Sequence, residues 1–398
     1  MSGQKIMTIS QNPLYRVIRR GGAFATRQVK RSGILYRSRR LIGSYITRNE
    51  VFIVAEIISS NQADDLKRRL GFYLPDLNPA KIRVVKKAPL RTAVTFEATL
   101  FFGDLPQNKM TQNQFDINYL RNPMDGWDWV RLVNHYYKHK PDLVRSRELF
   151  SSHISLVKGK NLEKCYIFGT GISLDDAINR DWSDGYKIVC NTIVRDPILW
   201  NHIKPDVIVA GDAIYHFGHT GFAKEFRSDL IKRLNETQTI FAYPEMFDKI
   251  VRREMGGVGE RLIPVPMGGH QNIHVNLAEE FSLPALGNVL ALLLLPMGCT
   301  LSKKVMLWGF DGRAPNDNDK PFWSNSNKHT YPELMSELKT AHPRFFEHFV
   351  PKNDPLHYVK QVQGELLDER LSQAEKMGYE FVMMHHTWTP SLQKRFKS

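Results

Sequence analysis

The chain has 398 residues, 42% hydrophobic, 24% charged and 11% aromatic; this suits one large or two smaller folded domains and excludes disordered, collagen-like and disulfide-stapled classes. Its net charge of +14 is not spread evenly: residues 1–49 hold Lys5, Arg16, Arg19, Arg20, Arg27, Lys30, Arg31, Arg37, Arg39, Arg40 and Arg48, with no acid before Glu50. Of the 55 Lys and Arg, 44 lie beyond this leader against 41 acids, a remainder of +3, which argues against a nucleic-acid-binding surface spread over the fold.

Within the leader, Leu14, Val17 and Ile18 recur at helical spacing among Arg16, Arg19 and Arg20. Such a segment docks on anionic lipid or a glycan assembly, or is simply a solvated leader. It lacks the apolar run of a secretory signal, although its Arg-rich, acid-free composition also fits a mitochondrial presequence. Cys165, Cys190 and Cys299 are too few and too scattered for a disulfide framework or a metal site, so a reducing cytoplasmic setting is expected, with 1–49 reaching the inner face of the membrane. The apolar stretch Val289–Met297, broken by Pro296, is far short of the roughly 20 residues that cross a bilayer.

Residues 50–158 read as an accessory α+β region. Strands are predicted at Val51–Ile57, Ile82–Val85 and Thr92–Phe102, and helices at Gly126–Tyr137 and Asp142–Leu156. From residue 159 the pattern becomes strands alternating with helices: Cys165–Phe168, Lys187–Cys190, Asp206–Ala210, Thr239–Tyr243, Lys304–Trp308 and Tyr379–Met383, with a helix starting at Ser173 as N-cap, an apolar helix Leu286–Leu295 and a last helix Leu366–Lys376. Continuous apolar strands of this kind predict a parallel sheet covered on both faces, a doubly wound, Rossmann-like α/β fold over 159–398.

Ligands of such sheets lie beyond the carboxyl ends of the strands. After the first strand come Gly169, Thr170, Gly171 and Ser173, small residues that let backbone amides approach an anion or let strand and helix pack closely. The second strand ends in Asn191 rather than the Asp or Glu that holds a ribose in dinucleotide-binding folds, and Leu174 breaks the Gly-x-Gly-x-x-Gly spacing. Asn191 could read a nucleobase or sugar edge, having both donor and acceptor, or be an ordinary turn residue. Asp212 and Asp311 follow later strands and could bind a ribose, a metal or an acceptor hydroxyl, or cap helices. Arg313 suits a departing phosphate or a surface pair with Asp317 or Asp319. Residues 314–360 read as an irregular lid rich in aromatics and histidines, among them His329, His342, His348 and His357, one of which could act as a general base.

Taken in order, the runs Ile167–Leu174, Cys190-Asn191-Thr192, Lys204–Asp212, Gly287 heading an apolar helix, Val305–Asp311 and Thr389-Pro390-Ser391-Leu392 resemble a glycosyltransferase superfamily. It contains the motility accessory factors that glycosylate flagellin and the bacterial family-42 sialyltransferases. The resemblance implies inverting, metal-independent transfer from a CMP-activated nonulosonic acid, with no resident cofactor, to a glycan or protein acceptor. It places Gly169, Gly171, Ser173, Asn191 and Gly287 against the nucleotide and His357 near the catalytic base. Two positions depart from the family pattern: Arg313 stands where tyrosine hydroxyls face the leaving phosphate, and Ala285-Leu286 replace a Thr-Ser pair. A pterin diphosphokinase using Mg²⁺ and ATP, and a non-catalytic glycan- or nucleotide-binding subunit of polysaccharide assembly, are the competing expectations.

Overall fold

The computed structural model describes residues 51–55, 59–85, 97–106, 110–269, 272–273, 275–285, 287–314, 326–349 and 365–397. The basic leader and His357 therefore lie outside the described residues. The chain divides into two compact units, Met1–Lys140 and Pro141–Ser398.

The first unit contains β1 (Val51–Val54), α1 (Ser60–Tyr73), β2 (Ile82–Val85), β3 (Ala98–Phe101), β4 (Gln114–Asp116) and α2 (Asp125–Tyr137). Its four strands are all parallel, in the order β2-β1-β3-β4, so the accessory region is itself a small α/β unit rather than an α+β one. Helix α1, which the apolar spacing did not announce, begins with a capping box: Ser59 Oγ accepts from Gln62 N–H and the Gln62 side chain accepts from Ser59 N–H. Helix α2 buries Trp129, Val130, Leu132 and Val133, and Trp129 stacks on Tyr73 at 5.0 Å. Between the helices the guanidinium of Arg69 is buried and donates to Asp65 (2.6 Å) and Asp125 (2.9 Å). A buried charge is tolerated only when paired in this way; removing one partner of such a pair typically costs about 3–5 kcal/mol.

The second unit opens with α3 (Leu143–Lys158), whose Phe150, Ile154 and Val157 sink into the core of the large sheet beside Cys165 and Ile167. This helix therefore belongs with the large sheet and not with the accessory region in which its sequence position places it. There follow β5 (Lys164–Phe168), β6 (Gly185–Cys190), α4 (Pro197–Ile203), β7 (Val207–Val209), α5 (Gly221–Glu236), β8 (Ile240–Pro244), α6 (Asp248–Met255) and β9 (Leu262–Val265). A π-helical turn, Leu290–Leu294, runs into α7 (Leu295–Leu301) with Pro296 in its first turn, where a missing N–H costs nothing. Then come β10 (Lys304–Trp308), α8 (Met335–Ala341), α9 (Pro343–Phe349), α10 (Glu365–Lys376), β11 (Glu380–Met383) and α11 (Pro390–Gln393).

All seven strands are parallel, in the order β11-β10-β5-β6-β7-β8-β9. The fold is the doubly wound, Rossmann-like architecture expected from strands that are apolar throughout. Strand β9 escaped the sequence reading because Pro264 interrupts it, and it stands at the edge of the sheet, where a strand can lack an N–H. The chain winds outward from β5 through β9 and then returns to the other side of β5 as β10. This reversal makes β5 and β10 the switch point of the sheet, and open α/β sheets take their ligands beyond the carboxyl ends of the strands at such a point. The three cysteines are free and buried; burial pushes the Cys190 thiol up to about 12 and raises Cys165 and Cys299 as well, so they pack as small hydrophobes.

Candidate active site at the carboxyl edge of the large sheet

Strands β5 and β10 run side by side to Phe168 and Trp308, and the two loops that leave them touch backbone to backbone. Gly169 N–H donates to Trp308 O (2.8 Å) and Gly171 N–H to Gly309 O (2.9 Å). A Cβ on Gly169 would collide with the Gly309 carbonyl, one on Gly171 with the Asp311 carboxylate, and Gly309 itself needs a left-handed φ of 81°. The glycines are therefore required by the approach of one loop to the other.

The carboxylate of Asp311 accepts the backbone N–H of Ser173 (3.2 Å) and its hydroxyl (2.9 Å). Ser173 Oγ also lies 2.8 Å from His385 Nε2, which accepts Gly309 N–H (2.9 Å), while His385 Nδ1 donates to the His386 carbonyl (2.7 Å). Burial holds this imidazole below its usual range; Arg180 and His386 add repulsion, and the His386 carbonyl and Asp311 pull the other way. A serine nucleophile needs a carboxylate on Nδ1 and an unoccupied Nε2. Here Asp311 Oδ1 is 3.9 Å from Nδ1, the Nδ1 hydrogen belongs to a carbonyl and Nε2 already holds an amide, so the group is a clamp that joins three loops.

Two sequence expectations change at this point. Residues Ile172–Asn179 form a 3₁₀ rather than an α-helix, with Gly171 as N-cap and no side-chain cap bond, because Ser173 is spent on Asp311. The amides of Gly169, Gly171 and Ser173, expected to cradle an anion, donate instead to Trp308, Gly309 and Asp311. An internal carboxylate receives the Ser173 amide where an anionic ligand was expected. Thr170 is buried, and its carbonyl accepts Ser326 N–H (3.0 Å).

Further along the edge, Asn191 follows β6 directly. It has a left-handed φ of 53°, and its Oδ1 is buried without a hydrogen-bond donor among the described residues. An orphaned buried amide oxygen ordinarily costs about 1–3 kcal/mol, a cost that a ligand's donor group would remove. Asp212, three residues beyond β7, accepts Ile214 N–H (2.8 Å) and Tyr215 N–H (2.9 Å) through Oδ1, while its own N–H donates to His216 Nδ1 (3.2 Å). Its Oδ2 has no protein donor among the described residues. Burial raises this carboxyl to about 6, against the two amides that pull it down. Burial and Arg227 hold His216 neutral, lowered to about 3. Gly287 lies just before the π-helical turn, and among the described residues a Cβ added there would meet nothing within 4 Å; the turn's Leu292 and Leu293 pack on Gly211 at the end of β7.

Arg313 is buried, behind Gly312, whose φ is 70° and whose Cβ would press on Thr389. The described part of the expected lid, 326–349, is better ordered than its irregular sequence suggested. It contains α8 and α9, and Tyr331, Leu338, His342 and Phe345 are buried. It docks on the edge loops: Ser326 Oγ donates to Asp175, Thr192 Oγ1 to the His329 carbonyl and Arg195 to the Thr330 carbonyl. His329 is buried between Asp175 (Nε2, 3.1 Å) and Asp196 (Nδ1, 3.6 Å); burial outweighs both carboxylates and lowers its pKa.

The structure thus joins Gly169, Gly171, Ser173 and Asp311 in one cluster, places Asn191 and Asp212 on the neighbouring strand ends, and buries Arg313. His385, Arg180 and Trp388 were missed. His385 and Trp388 come more than 200 residues after β5 in sequence, and only the insertion of β10 and β11 on its other side makes them its neighbours. The run His385-His386-Thr387-Trp388 directly after a predicted strand was the available signal. Among the described residues no cluster of three or more His, Cys, Asp or Glu could hold a metal ion, and no helix is long and apolar enough to cross a membrane. Compared with protein-family models, curated proteins and solved structures, the chain has no match.

Proposed function

We propose that the carboxyl edge of the large sheet binds a nucleotide-activated sugar and that the protein is a glycosyltransferase, the favoured donor being a CMP-activated nonulosonic acid and the acceptor a glycan or protein. The observation that carries this reading is Asn191: an amide at the carboxyl end of the strand beside the switch point, held left-handed, with a buried oxygen awaiting a donor such as a base amino group. Gly287, which no described residue crowds, leaves room for a ligand against it. In inverting transfer the acceptor hydroxyl loses its proton to a base and bonds to the anomeric carbon as the bond to the nucleotide phosphate breaks. The phosphate leaves with that electron pair, stabilised in this reading by Arg313.

A second reading of the base is favoured by one observation. His357 takes the acceptor proton by resemblance, but Asp212 carries a fixed carboxyl raised to about 6 with one oxygen open, a suitable base near neutral pH.

The nucleotide test is a thermal-shift panel of CMP-, UDP- and GDP-sugars and of ATP with Mg²⁺. A bound donor at 100 times its dissociation constant adds about 2.7 kcal/mol, and Asn191→Ala should abolish that increment. The left-handed strain of the alanine acts on free and bound protein alike and cancels from the increment. Stabilisation only by ATP with Mg²⁺, lost with a chelator, would move the assignment to a nucleotide-dependent kinase.

A further inference from the structure

Beside the clamp lies a second set of side chains that neither the core nor the clamp uses. The guanidinium of Arg180 lies 4.3 Å over the ring of Trp308, and among the described residues it has no carboxylate partner. The adjoining Asp181 is not that partner, since it is taken by the N–H (2.9 Å) and hydroxyl (2.8 Å) of Ser183. Trp308 in turn meets His385 edge-on at 4.9 Å. After His385 the chain presents His386, exposed, and Trp388, 49% exposed, with their rings 4.8 Å apart and perpendicular.

The loop bearing this indole is firmly held. Trp388 N–H donates to Asp311 O (2.7 Å), Thr387 Oγ1 to Phe310 O (2.5 Å), and Thr387 and Thr389 on either side are buried. Below it, Arg395 donates to Asp368 (2.7 Å) and Glu375 (2.6 Å) and ties the end of the chain to α10. A firmly held loop thus keeps a large indole in water, and Arg180, whose charge reaches the His385 of the same loop, keeps its fork unspent while its plane covers Trp308. An aromatic face covers the C–H face of a sugar ring, and a guanidinium pairs with a carboxylate or phosphate through two parallel hydrogen bonds.

We infer that Arg180, His386 and Trp388 form a subsite for a sugar ring bearing a carboxylate or phosphate, which rests on the glycosyl-transfer reading and identifies its acceptor as an acidic glycan. Trp388 supplies the stacking face, Arg180 the anion contact and His386 the edge that orients the indole.

The test is saturation-transfer NMR on the full chain with glucuronate, glucose 6-phosphate, glucose and inorganic phosphate as probes. Glucuronate and glucose 6-phosphate distinguish carboxylate from phosphate; glucose and inorganic phosphate separate the ring from the charge. The expected result is that at least one charged sugar binds at least tenfold more tightly than both controls. Arg180→Ala and Trp388→Ala should each remove that advantage, Trp388→Phe should keep most of it, and CMP stabilisation should be unchanged in all three. Charged sugars no tighter than glucose, or variants that bind them as wild type does, would overturn the subsite. So would loss of CMP stabilisation in Trp388→Ala, which would give the indole to the nucleotide. If wild type holds a charged sugar with the expected mutational pattern but no nucleotide stabilises it, the transferase reading fails while the subsite stands.

Discussion

Asp212 carries an unusual cost for a single side chain. Its carboxyl is raised from 3.8 to about 6 by burial, so between those values the folded protein holds a proton that the unfolded chain releases. Stability contributed by the neutral form is therefore present at low pH and is lost as pH rises from about 4 to about 6. The corresponding penalty at neutral pH is at most about 3 kcal/mol. Asp212→Asn keeps an oxygen for the amides of Ile214 and Tyr215 and removes the charge. It should therefore stabilise the protein at pH 7.5 by about 1–3 kcal/mol and flatten this part of the pH–stability curve, read by urea unfolding from about pH 4 to 8. If Asp212 is also the base, the same variant loses turnover by orders of magnitude and with it the acid limb of the pH–rate profile. Full turnover in Asp212→Asn, with loss in His357→Ala, returns the role to His357. A group that costs stability yet repays activity is common where catalysis is built in.

At the scale of elements, two glycines that look alike in the sequence have opposite reasons for being there. Gly171 is required by contact: its Cβ would meet the Asp311 carboxylate, and Gly171→Ala should cost about 1–3 kcal/mol by overpacking and break the clamp. Gly287 is crowded by no described residue, so Gly287→Ala should leave thermal stability within about 0.5 kcal/mol while reducing nucleotide stabilisation if a ligand lies against it. Denaturation with and without the stabilising donor separates the two cases. The strands of the large sheet were readable because burial on both faces makes each an unbroken apolar run; Lys304–Trp308 was placed to the residue. What escaped was decided by partners distant in sequence. Strand β9 was hidden by an edge proline, and the N-terminal strands alone did not reveal that they pair in parallel. Ser173 looked like a helix cap because nothing nearby announces that Asp311, far along the chain, takes its hydrogen bonds. The strand-end residues were legible as a set, but the clamp they form with His385 depends on strand order, which local pattern does not contain.

For the whole molecule, the uneven charge has a physical consequence that can be separated from the carboxyl edge of the large sheet. The body beyond residue 49 is close to neutral at +3, and the switch-point strands with their core lie within Pro141–Ser398. That unit should fold alone, giving one cooperative unfolding transition and retaining any nucleotide stabilisation of the full chain. The proposed role of residues 1–49 is attachment to an anionic membrane, with each Lys or Arg near such a surface worth about 1 kcal/mol. Full-length protein should therefore co-sediment with vesicles containing phosphatidylserine, but not with neutral phosphatidylcholine vesicles. Because exposed charges are screened over roughly 8 Å at physiological ionic strength and about 3 Å at 1 M, the association should weaken steeply with added salt. Deleting residues 1–49 should abolish it while turnover on a soluble acceptor persists. Loss of turnover on deletion, with the fold intact by thermal unfolding, would instead make the basic leader part of the catalytic machinery.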